Sequence, residues 1–485
     1  MSIKRYVAIK DNTITNAYKQ NLTTRGTGSN MGLSDSLEVF SIYAQASSSS
    51  VEQAKIIVQF PVITSDASTT IQSDRAASKI PASGSVSFYL RLYNVVHDQT
   101  VPKELTLVVS PVSQSWQEGF GLDMTNYTDE TYGGIGSNWI NAASGETWAT
   151  QGGSFLTASA HAATTYKQTF PLGTEDLEID ITGLVEQWIT GTSGGGYNNY
   201  GVGVYVTASQ ANDSRSFYDK MFSARGSEYF FSRPLIEARW DSSRKDQRGS
   251  FYLSSSALSA ADNLNKIYLY NYFRGQPANI SGIGTGSIYV TLHTSSTGTK
   301  QLTTTPSQPV TGGWVSTGIY SASFALSTTA SVVYDKWFSG SIYYNTGTIK
   351  PKTHDASTAF FIPKYITSIT NLMPKYCDQD LNRFRVYTRL KNWNQTIYTV
   401  AQAAVVNSIV EDAYYKVYRV IDDYTVIQYG TGSLNQTRLS YDTTGSYFDL
   451  DIGLLQTGYE YGIKFVFYIN GAYEEQPDAF TFRVE

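Results

Sequence analysis

Four carboxylates lie close together in one stretch of the sequence: Glu118, Asp123, Asp129 and Glu130. Glycosidases place two carboxyl groups about 5 to 9 Å apart across a sugar, so a pair of these could hydrolyse a glycan. The same residues, together with Asn126, could bind Ca²⁺ through hard oxygen atoms. No EF-hand spacing is matched, so the sequence favours a solvated acidic loop first, calcium binding second and catalysis last.

Two of the eight tryptophans lie in polar, glycine-containing sequence, where Trp139 follows an asparagine and Trp148 follows Gly145. Exposed tryptophan rings stack on the faces of sugars, so this pair is a candidate glycan platform. Packing in the protein core is the alternative, and the sequence does not decide between the two interpretations. Trp116 and Trp188 lie beside strand-like and helix-like patterns, so they are predicted to be core residues.

The other reactive side chains do not form a recognisable catalytic set. The single cysteine, Cys377, cannot form an internal disulfide and is predicted to be a buried small hydrophobic residue. We therefore predict that the protein is not an enzyme and that it has no cofactor, with calcium as the one open alternative. The histidines are scattered, lack the close spacing of a zinc site and are predicted to be surface or loop residues: His97, His161, His293 and His354.

The composition of the 485-residue chain is typical of β-structure. It contains 37 Tyr and 39 Gly, and only 16% of its residues are charged. Tyrosine, threonine and valine fit half-buried pleated surfaces, whereas glycine, serine and asparagine fit the turns between strands. A chain of this length is expected to form roughly two to four domains. The formal net charge of −5 argues against a nucleic-acid partner, which usually requires a basic surface.

The sequence also bears on where the protein is made. Residues 1–6 lead into polar sequence without the apolar stretch of about 7 to 15 residues that a signal peptide requires. No segment approaches the roughly 18 consecutive apolar residues of a membrane-spanning helix, so no membrane partner is predicted. A β-sandwich protein without disulfides or an export signal fits a virus particle that assembles inside a cell, with a cytosolic or an otherwise secreted protein as alternatives.

Alternation of apolar and polar residues predicts a β-sandwich in residues 1–245. Within 88–93, the side chains of Phe88, Leu90 and Leu92 are expected on one face. Apolar residues at helical spacing predict a short helix at 182–188 that covers an open end of the sandwich. The charged stretch 241–249 is expected to end this domain. The predicted strands are 55–60, 86–93, 105–109, 177–181 and 202–206, with a closing strand in 230–240.

Two smaller sandwiches are predicted in residues 250–360 and 361–485, where short strands are separated by turns rich in glycine, serine and threonine. The turn at 454–461 is typical of an immunoglobulin-like or fibronectin-like corner. No repeat of fixed period appears across these segments, so a solenoid or propeller is disfavoured. The predicted strands are 266–270, 287–292, 318–324 and 341–344 in the first, and 383–387, 415–420, 447–450, 461–467 and 479–484 in the second.

Residues 1–245 resemble the jelly-roll modules called DNRLRE domains, which are related to carbohydrate-binding modules. The resemblance covers about half of the chain, and it implies an all-β protein with an N-terminal jelly roll before the two smaller sandwiches. The family's usual arginine before its first strand is replaced here by Glu52-Gln-Ala-Lys55. The matching landmarks are the strands at 55–60 and 87–93, Trp116-Gln-Glu, Trp139, Trp148, Asp180-Ile-Thr and Trp188.

The whole chain, including 11–18 and 439–448, is similar to virion structural proteins of tailed bacteriophages, which join jelly rolls and Ig-like domains. This resemblance implies a location in the virion, other virion proteins as partners and assembly as a homo-oligomer. We therefore expect a non-enzymatic structural component of a tail, neck, baseplate or capsid-decorating part. The alternative is a glycan-binding host-recognition module of a fibre or spike, with a host glycan as its partner. A polysaccharide-degrading enzyme comes third.

Overall fold

The chain is all-β, as predicted, and forms two compact units: residues 2–241, called the N-terminal unit below, and residues 242–485, called the C-terminal unit. The boundary falls at the start of the charged stretch 241–249, where the first domain was expected to end. The computed structural model describes residues 2–97, 103–122, 126–129, 135–157, 159–214, 217–353, 363–393, 397 and 407–485.

The N-terminal unit contains thirteen described strands and three short helices. The strands are β1 Ile3–Val7, β2 Lys10–Thr15, β3 Ser36–Tyr43, β4 Val51–Gln59, β5 Ser87–Leu92, β6 Leu105–Pro111, β7 Asn141–Ala143, β8 Glu146–Thr147, β9 Tyr166–Phe170, β10 Leu177–Asp180, β11 Val202–Val206, β12 Phe217–Ser223 and β13 Leu235–Arg239. The helices are α1 Ile71–Ala76, α2 Thr182–Thr190 and α3 Ala208–Ala211.

Two sheets form the sandwich of the N-terminal unit. A four-stranded sheet has the order β1-β13-β5-β10, and a seven-stranded sheet has the order β12-β3-β4-β11-β6-β9, with β2 also paired to β4. Side chains from both sheets meet in the main core, where Phe88, Leu90 and Leu92 of β5 are completely buried. The predicted alternation of 88–93 is therefore confirmed. Burial of each such side chain contributes about 1.5–3 kcal/mol.

The predicted short helix is α2, and it packs on the main core through Leu184, Val185 and Trp188. The carboxylate of Asp180 accepts hydrogen bonds from the backbone N–H and the hydroxyl of Thr182, at 2.9 and 2.6 Å. This side chain satisfies an N–H at the helix start that has no partner inside the helix.

The C-terminal unit begins with a set of strands called the second module. Its main sheet has the order β14-β20-β19-β17-β21-β22. Residues 310–312 of β19 pair with β17, while Gly313 and the residues after it pair with β20, so one bent strand joins the two halves of the sheet. The strands are β14 Asn265–Tyr270, β15 Tyr272–Phe273, β16 Gln276–Pro277, β17 Ile288–His293, β18 Thr304–Thr305, β19 Val310–Ser316, β20 Ile319–Leu326, β21 Val333–Ser339 and β22 Ile342–Ile349.

The remaining strands form the third module, with sheets in the orders β23-β25-β29-β28 and β24-β32-β30-β26-β27. Strand β31 also pairs with β30. The strands are β23 Tyr365–Ile369, β24 Lys375–Tyr376, β25 Leu381–Leu390, β26 Ala413–Arg419, β27 Tyr424–Ile427, β28 Ser440–Asp442, β29 Gly445–Asp451, β30 Glu460–Ile469, β31 Ala472–Glu475 and β32 Phe480–Val484.

An aromatic core joins the two sheets of the third module. Phe448 of one sheet stacks on Tyr415 of the other, with ring centroids 4.2 Å apart. The predicted corner is present, because the hydroxyl of the fully buried Tyr461 donates to the carbonyl oxygen of Gln456 at 2.8 Å. This back-bond is the defining contact of a tyrosine corner in immunoglobulin-like sandwiches.

The second and third modules belong to one compact unit. The segment before β14 binds both modules. The N–H of Asp246 donates to the carbonyl of Tyr441 at 3.0 Å, and the N–H of Gln247 donates to the carbonyl of Lys266 at 2.9 Å. Backbone bonds to both modules from adjacent residues hold the modules together.

The prediction of a buried thiol is wrong, because Cys377 is exposed. It lies directly after β24, where the neighbouring Tyr376 occupies the buried position with 4% exposure. The N–H of Cys377 donates to the carboxylate of Asp380, which closes a surface turn. None of the helices in the described ranges is long and apolar enough to span a membrane.

Candidate functional site: the tryptophan cluster and the acidic segment

Trp116, Trp139 and Trp148 form a second core of the N-terminal unit, called the tryptophan cluster below. They pack with Ile57 on the face of β4 opposite the main core, so they cover the outer side of the seven-stranded sheet. Their exposed fractions are 3%, 9% and 4%. Trp139 and Trp148 therefore present no open ring face to a sugar, and the structure shows the alternative interpretation, core packing. Trp188 lies completely buried in the main core, as predicted.

Asn138 and Gly152 contact the rings of these tryptophans, whereas a Cβ atom on Gly145 would meet nothing within 4 Å. A Cβ atom on Gly152 would lie 2.7 Å from Cζ2 of Trp139, and the φ of +79° at Gly152 also favours glycine. The indole N–H of Trp148 donates to the carbonyl of Asn138 at 2.8 Å. The neighbours that suggested exposed loops instead allow the backbone to approach the rings closely.

A partly buried lysine lies against the tryptophan cluster, and the sequence analysis assigned it no such role. The ammonium group of Lys55 donates to the carbonyl of Gly152 at 2.9 Å and lies 5.1 Å from the ring centroid of Trp139. The rings of Phe155 and Tyr205 are 5.4 and 5.6 Å away. Burial lowers the pKa of Lys55 to about 8. Three aromatic faces and a carbonyl thus surround this cation.

The stretch from Glu118 to Glu130 is called the acidic segment below. Its described carboxylates, Glu118 and Asp129, bind different partners. Glu118 accepts hydrogen bonds from the guanidinium of Arg225 at 2.8 and 3.2 Å and from the N–H of Asp11 at 2.9 Å. The carboxylate of Asp129 accepts from the N–H of Leu122 at 2.8 Å, within its own loop. Asn126 lies in the same described stretch, whereas Asp123 and Glu130 fall outside the described residues. Calcium binding by this set stays a prediction.

Asn30 anchors the acidic segment, although it was not predicted from the sequence as a site residue. Its completely buried side chain donates to the carbonyls of Glu118 and Ser137 at 2.7 and 2.8 Å. Its amide oxygen accepts from the N–H of Gly121 at 2.9 Å. A Cβ atom on Gly119 or Gly121 would overlap Asn30. The described part of this segment is therefore fixed to the sandwich and is not a freely solvated loop.

Two buried carboxyl groups lie on the strands β3 and β12, outside the acidic segment. Glu38 is 5% exposed, and burial together with the nearby charge of Asp219 raises its pKa to about 8. The hydroxyl of Tyr127 donates to Glu38 at 3.3 Å. Both carboxylate oxygens of Asp219 are buried without a hydrogen-bond partner among the described residues, and burial raises its pKa. Across the described stretches, no group of three His, Cys, Asp or Glu residues could hold a metal ion.

All four histidines were predicted to be surface or loop residues, and one of them is buried in a strand. His293 lies in β17, is 5% exposed and bonds the hydroxyl of Thr291 at 3.0 Å, so the surface prediction is wrong for it. His161 bonds the hydroxyl of Tyr197 at 2.9 Å. His97 is half-buried, and His354 lies outside the described residues.

Residues 191–195 have Gly-x-Ser-x-Gly spacing, but they follow helix α2 and not a strand, unlike a nucleophile elbow.

No protein-family model and no curated protein sequence matches the chain. Among solved structures, an adhesin from Yersinia pseudotuberculosis is 11% identical, with a TM-score of 0.15, over 45% of this chain and 54% of the adhesin. A chimeric titin Z1Z2 is 15% identical, with a TM-score of 0.14, over 46% of this chain and 86% of its own. A Salmonella alpha-2-macroglobulin is 8% identical, with a TM-score of 0.14, over 100% of this chain and 34% of its own. Likenesses this low carry no argument about function.

Proposed function

We propose that the chain is a non-enzymatic structural component of a bacteriophage virion that acts through contacts with other virion proteins. The phage setting comes from the resemblance of the sequence to tailed-phage structural proteins. The observation that carries the contact role is the open edge of the second module at β22. In the sheet order this strand comes last, and within the described residues it pairs only with β21.

The edge strand β22 lacks two of the features that usually prevent pairing with another chain, a charged side chain and a proline. Its sequence, Ile-Tyr-Tyr-Asn-Thr-Gly-Thr-Ile, contains neither a charged residue nor a proline. Proteins that remain single commonly place lysine, proline or a bulge on such an edge. Strand β22 has one irregularity in its pairing with β21, but seven of its eight residues are at least partly exposed. A strand of a neighbouring subunit could extend this sheet through backbone hydrogen bonds.

A row of aromatic side chains ends at the same edge. Tyr289, Phe338 and Tyr343 lie on three adjacent strands as direct cross-strand neighbours. The ring centroids are 6.0 Å apart in the first pair and 5.4 Å apart in the second. Tyr343 is 62% exposed, and Ile342 beside it is 59% exposed. Exposed aromatic area combined with low charge is typical of the centre of a protein interface.

Purified phage particles provide the test of this proposal. Gold-labelled antibodies raised against the purified chain should bind at a defined position on particles, and mass spectrometry should find the chain in them at a fixed copy number. A chain found in the cytoplasm of infected cells and absent from particles would overturn the proposal.

A variant of the edge strand tests the contact surface itself. Tyr343→Lys places a charge on the edge and should reduce incorporation into particles, because a lysine there opposes strand pairing. Tyr473→Lys is the matched control, since Tyr473 is 48% exposed on the β30–β31 hairpin of the third module. Equal incorporation of both variants and the unaltered chain would exclude β22 as the contact surface.

A further inference from the structure

The two modules of the C-terminal unit enclose a cleft of about 420 Å³. Strand β14 contributes Tyr268 and Tyr270, and β25 contributes Arg383 and Arg385. Typical pockets for small ligands have volumes of roughly 300–1,000 Å³. The cleft is therefore large enough for one or two sugar rings.

Two arginines of the cleft flank a single tyrosine. The guanidinium carbons of Arg383 and Arg385 lie 4.4 and 4.8 Å from the ring centroid of Tyr447, which is 3% exposed. Arg383 pairs with Asp449 through bonds of 2.7 and 2.9 Å, and Arg385 pairs with Asp442 at 2.6 Å. Each guanidinium is thus fixed in orientation by an aromatic face and a carboxylate.

The charges at the cleft are balanced in a way that does not favour an anion. A third arginine, Arg248, donates two bonds of 2.6 and 2.8 Å to the completely buried Asp335. Asp246, which is 1% exposed, adds a carboxyl group that accepts from the backbone N–H of Arg248. Each of the three guanidinium groups that line the cleft is thus paired with a carboxylate. A phosphate or carboxylate ligand would have to compete with these carboxylates for the three arginines.

Tyrosine rings supply the apolar part of the cleft. Tyr268 and Tyr270 stack with centroids 6.2 Å apart and planes inclined by 22°. The hydroxyl of Tyr270 is buried and has no hydrogen-bond partner among the described residues. Tyr272, which also lines the cleft, is 58% exposed.

We propose that this cleft binds one or two sugar rings of an uncharged glycan. Sugars present apolar faces, which stack on an exposed ring such as that of Tyr272, and neighbouring hydroxyls, which bind side-by-side donors and acceptors. The ion pairs at Tyr447 place guanidinium donors directly beside carboxylate acceptors. Asn345, an exposed residue of β22, adds an amide to the lining. This activity goes beyond the structural role proposed above, and it uses neither Trp139 nor Trp148.

Saturation-transfer NMR on the full chain tests the proposal with maltose, cellobiose, lactose and diacetylchitobiose as probes. At least one of these disaccharides should receive saturation from the protein. Tyr272→Ala should weaken its binding by roughly three- to tenfold through loss of a stacking face. Asn345→Ala should also weaken it. Tyr343→Ala is the matched control, because Tyr343 is 62% exposed on the same module and does not line the cleft.

Each result decides the proposal. The proposal is supported if the disaccharide binds more weakly to Tyr272→Ala and Asn345→Ala, while its affinity for Tyr343→Ala stays within about twofold of that for the unaltered chain. Absence of transfer to all four disaccharides overturns it, and so does binding that is unchanged in Tyr272→Ala and Asn345→Ala, because the sugar would then lie elsewhere. Sialyllactose should bind no more tightly than lactose. Tighter binding of the charged sugar would overturn the selectivity for an uncharged ligand.

Discussion

Arg225 and Glu118 form an ion pair with a nitrogen-to-oxygen distance of 2.8 Å, although 107 positions separate them in the sequence. The carboxylate of Glu118 also accepts a hydrogen bond from the N–H of Asp11. Burial and the nearby charge of Glu118 raise the pKa of the Asp11 carboxyl group to about 7. Glu118 is therefore a link between distant strands of the sandwich.

The first prediction concerns Glu118→Gln, which removes the charge and keeps an acceptor. Both partners of the ion pair remain partly exposed, so the expected loss of stability is only about 1 kcal/mol, or roughly 2–4 °C in Tm. Calorimetry should show the same loss with and without a chelator. The exposed Glu146→Gln is the control. A loss that disappears when calcium is removed would contradict the structural role of Glu118.

Lys55→Met is expected to stabilise the N-terminal unit at pH 7. The folded pKa of Lys55 is about 8, below the usual 10.5, because burial penalises the charged form. Between these values the unfolded chain keeps a proton that the folded chain has released, so the lysine's unfavourable effect fades as pH rises. We expect a gain of about 1–2 kcal/mol at pH 7, shrinking towards pH 10.

Thermal melts from pH 7 to pH 10 measure this difference, with Lys167→Met on the exposed surface of β9 as the control. If Lys55→Met is less stable than the unaltered chain at pH 7, the prediction is wrong. The contacts of the ammonium group with Trp139 and the carbonyl of Gly152 would then outweigh the cost of its burial.

Strands with clear alternation could be predicted from the sequence, whereas strand β12, with two adjacent buried charges, could not. The predicted strand 202–206 coincides with β11, and the predicted strand 86–93 contains β5 and extends one residue beyond it at each end. Strand β12 was missed because it contains Asp219 and Lys220, which are 7% and 0% exposed. Lys220 is satisfied by Asn94 and the carbonyl of Gly173, both at 2.7 Å. Such distant partners make a buried charge tolerable, and no local pattern reveals them.

The candidate site was harder to predict for the same reason. Asparagine and glycine are typical of turns, so their presence around Trp139 suggested an exposed loop. The actual role of such residues depends on contacts between distant parts of the chain. Asn30, for example, binds Glu118 and Ser137, which lie 88 and 107 positions further along the sequence. The corner at Tyr461 was predictable, since its partner Gln456 lies five residues upstream. Local bonds leave a signature in the sequence, and long-range bonds do not.

Tyr461→Phe should destabilise the third module by about 1 kcal/mol, because it removes the bond to Gln456 from a fully buried hydroxyl and leaves that carbonyl without its partner. Denaturant unfolding followed by aromatic fluorescence measures the change. Tyr473→Phe removes a hydroxyl from a side chain that is 48% exposed, so it should have little effect. Equal effects of the two variants would contradict a stabilising corner.

Glu38→Gln tests the buried carboxyl pair of β3 and β12. The pKa of Glu38 is raised from 4.5 to about 8, so in this range the folded chain holds a proton that the unfolded chain has lost. Stability of the unaltered chain should therefore fall as pH rises from 4.5 to 8. Glutamine has nearly the same shape as the protonated acid and carries no charge near Asp219.

The variant should accordingly lose this part of the pH dependence and gain about 1–3 kcal/mol at pH 8. Melting curves at intervals from pH 4.5 to 8 measure the slope, and the exposed Glu228→Gln should keep the slope of the unaltered chain. If Glu38→Gln keeps that slope as well, Glu38 is charged in the folded protein near neutral pH. A cation or a proton donor close to Asp219 and Tyr127 would then have to stabilise its carboxylate.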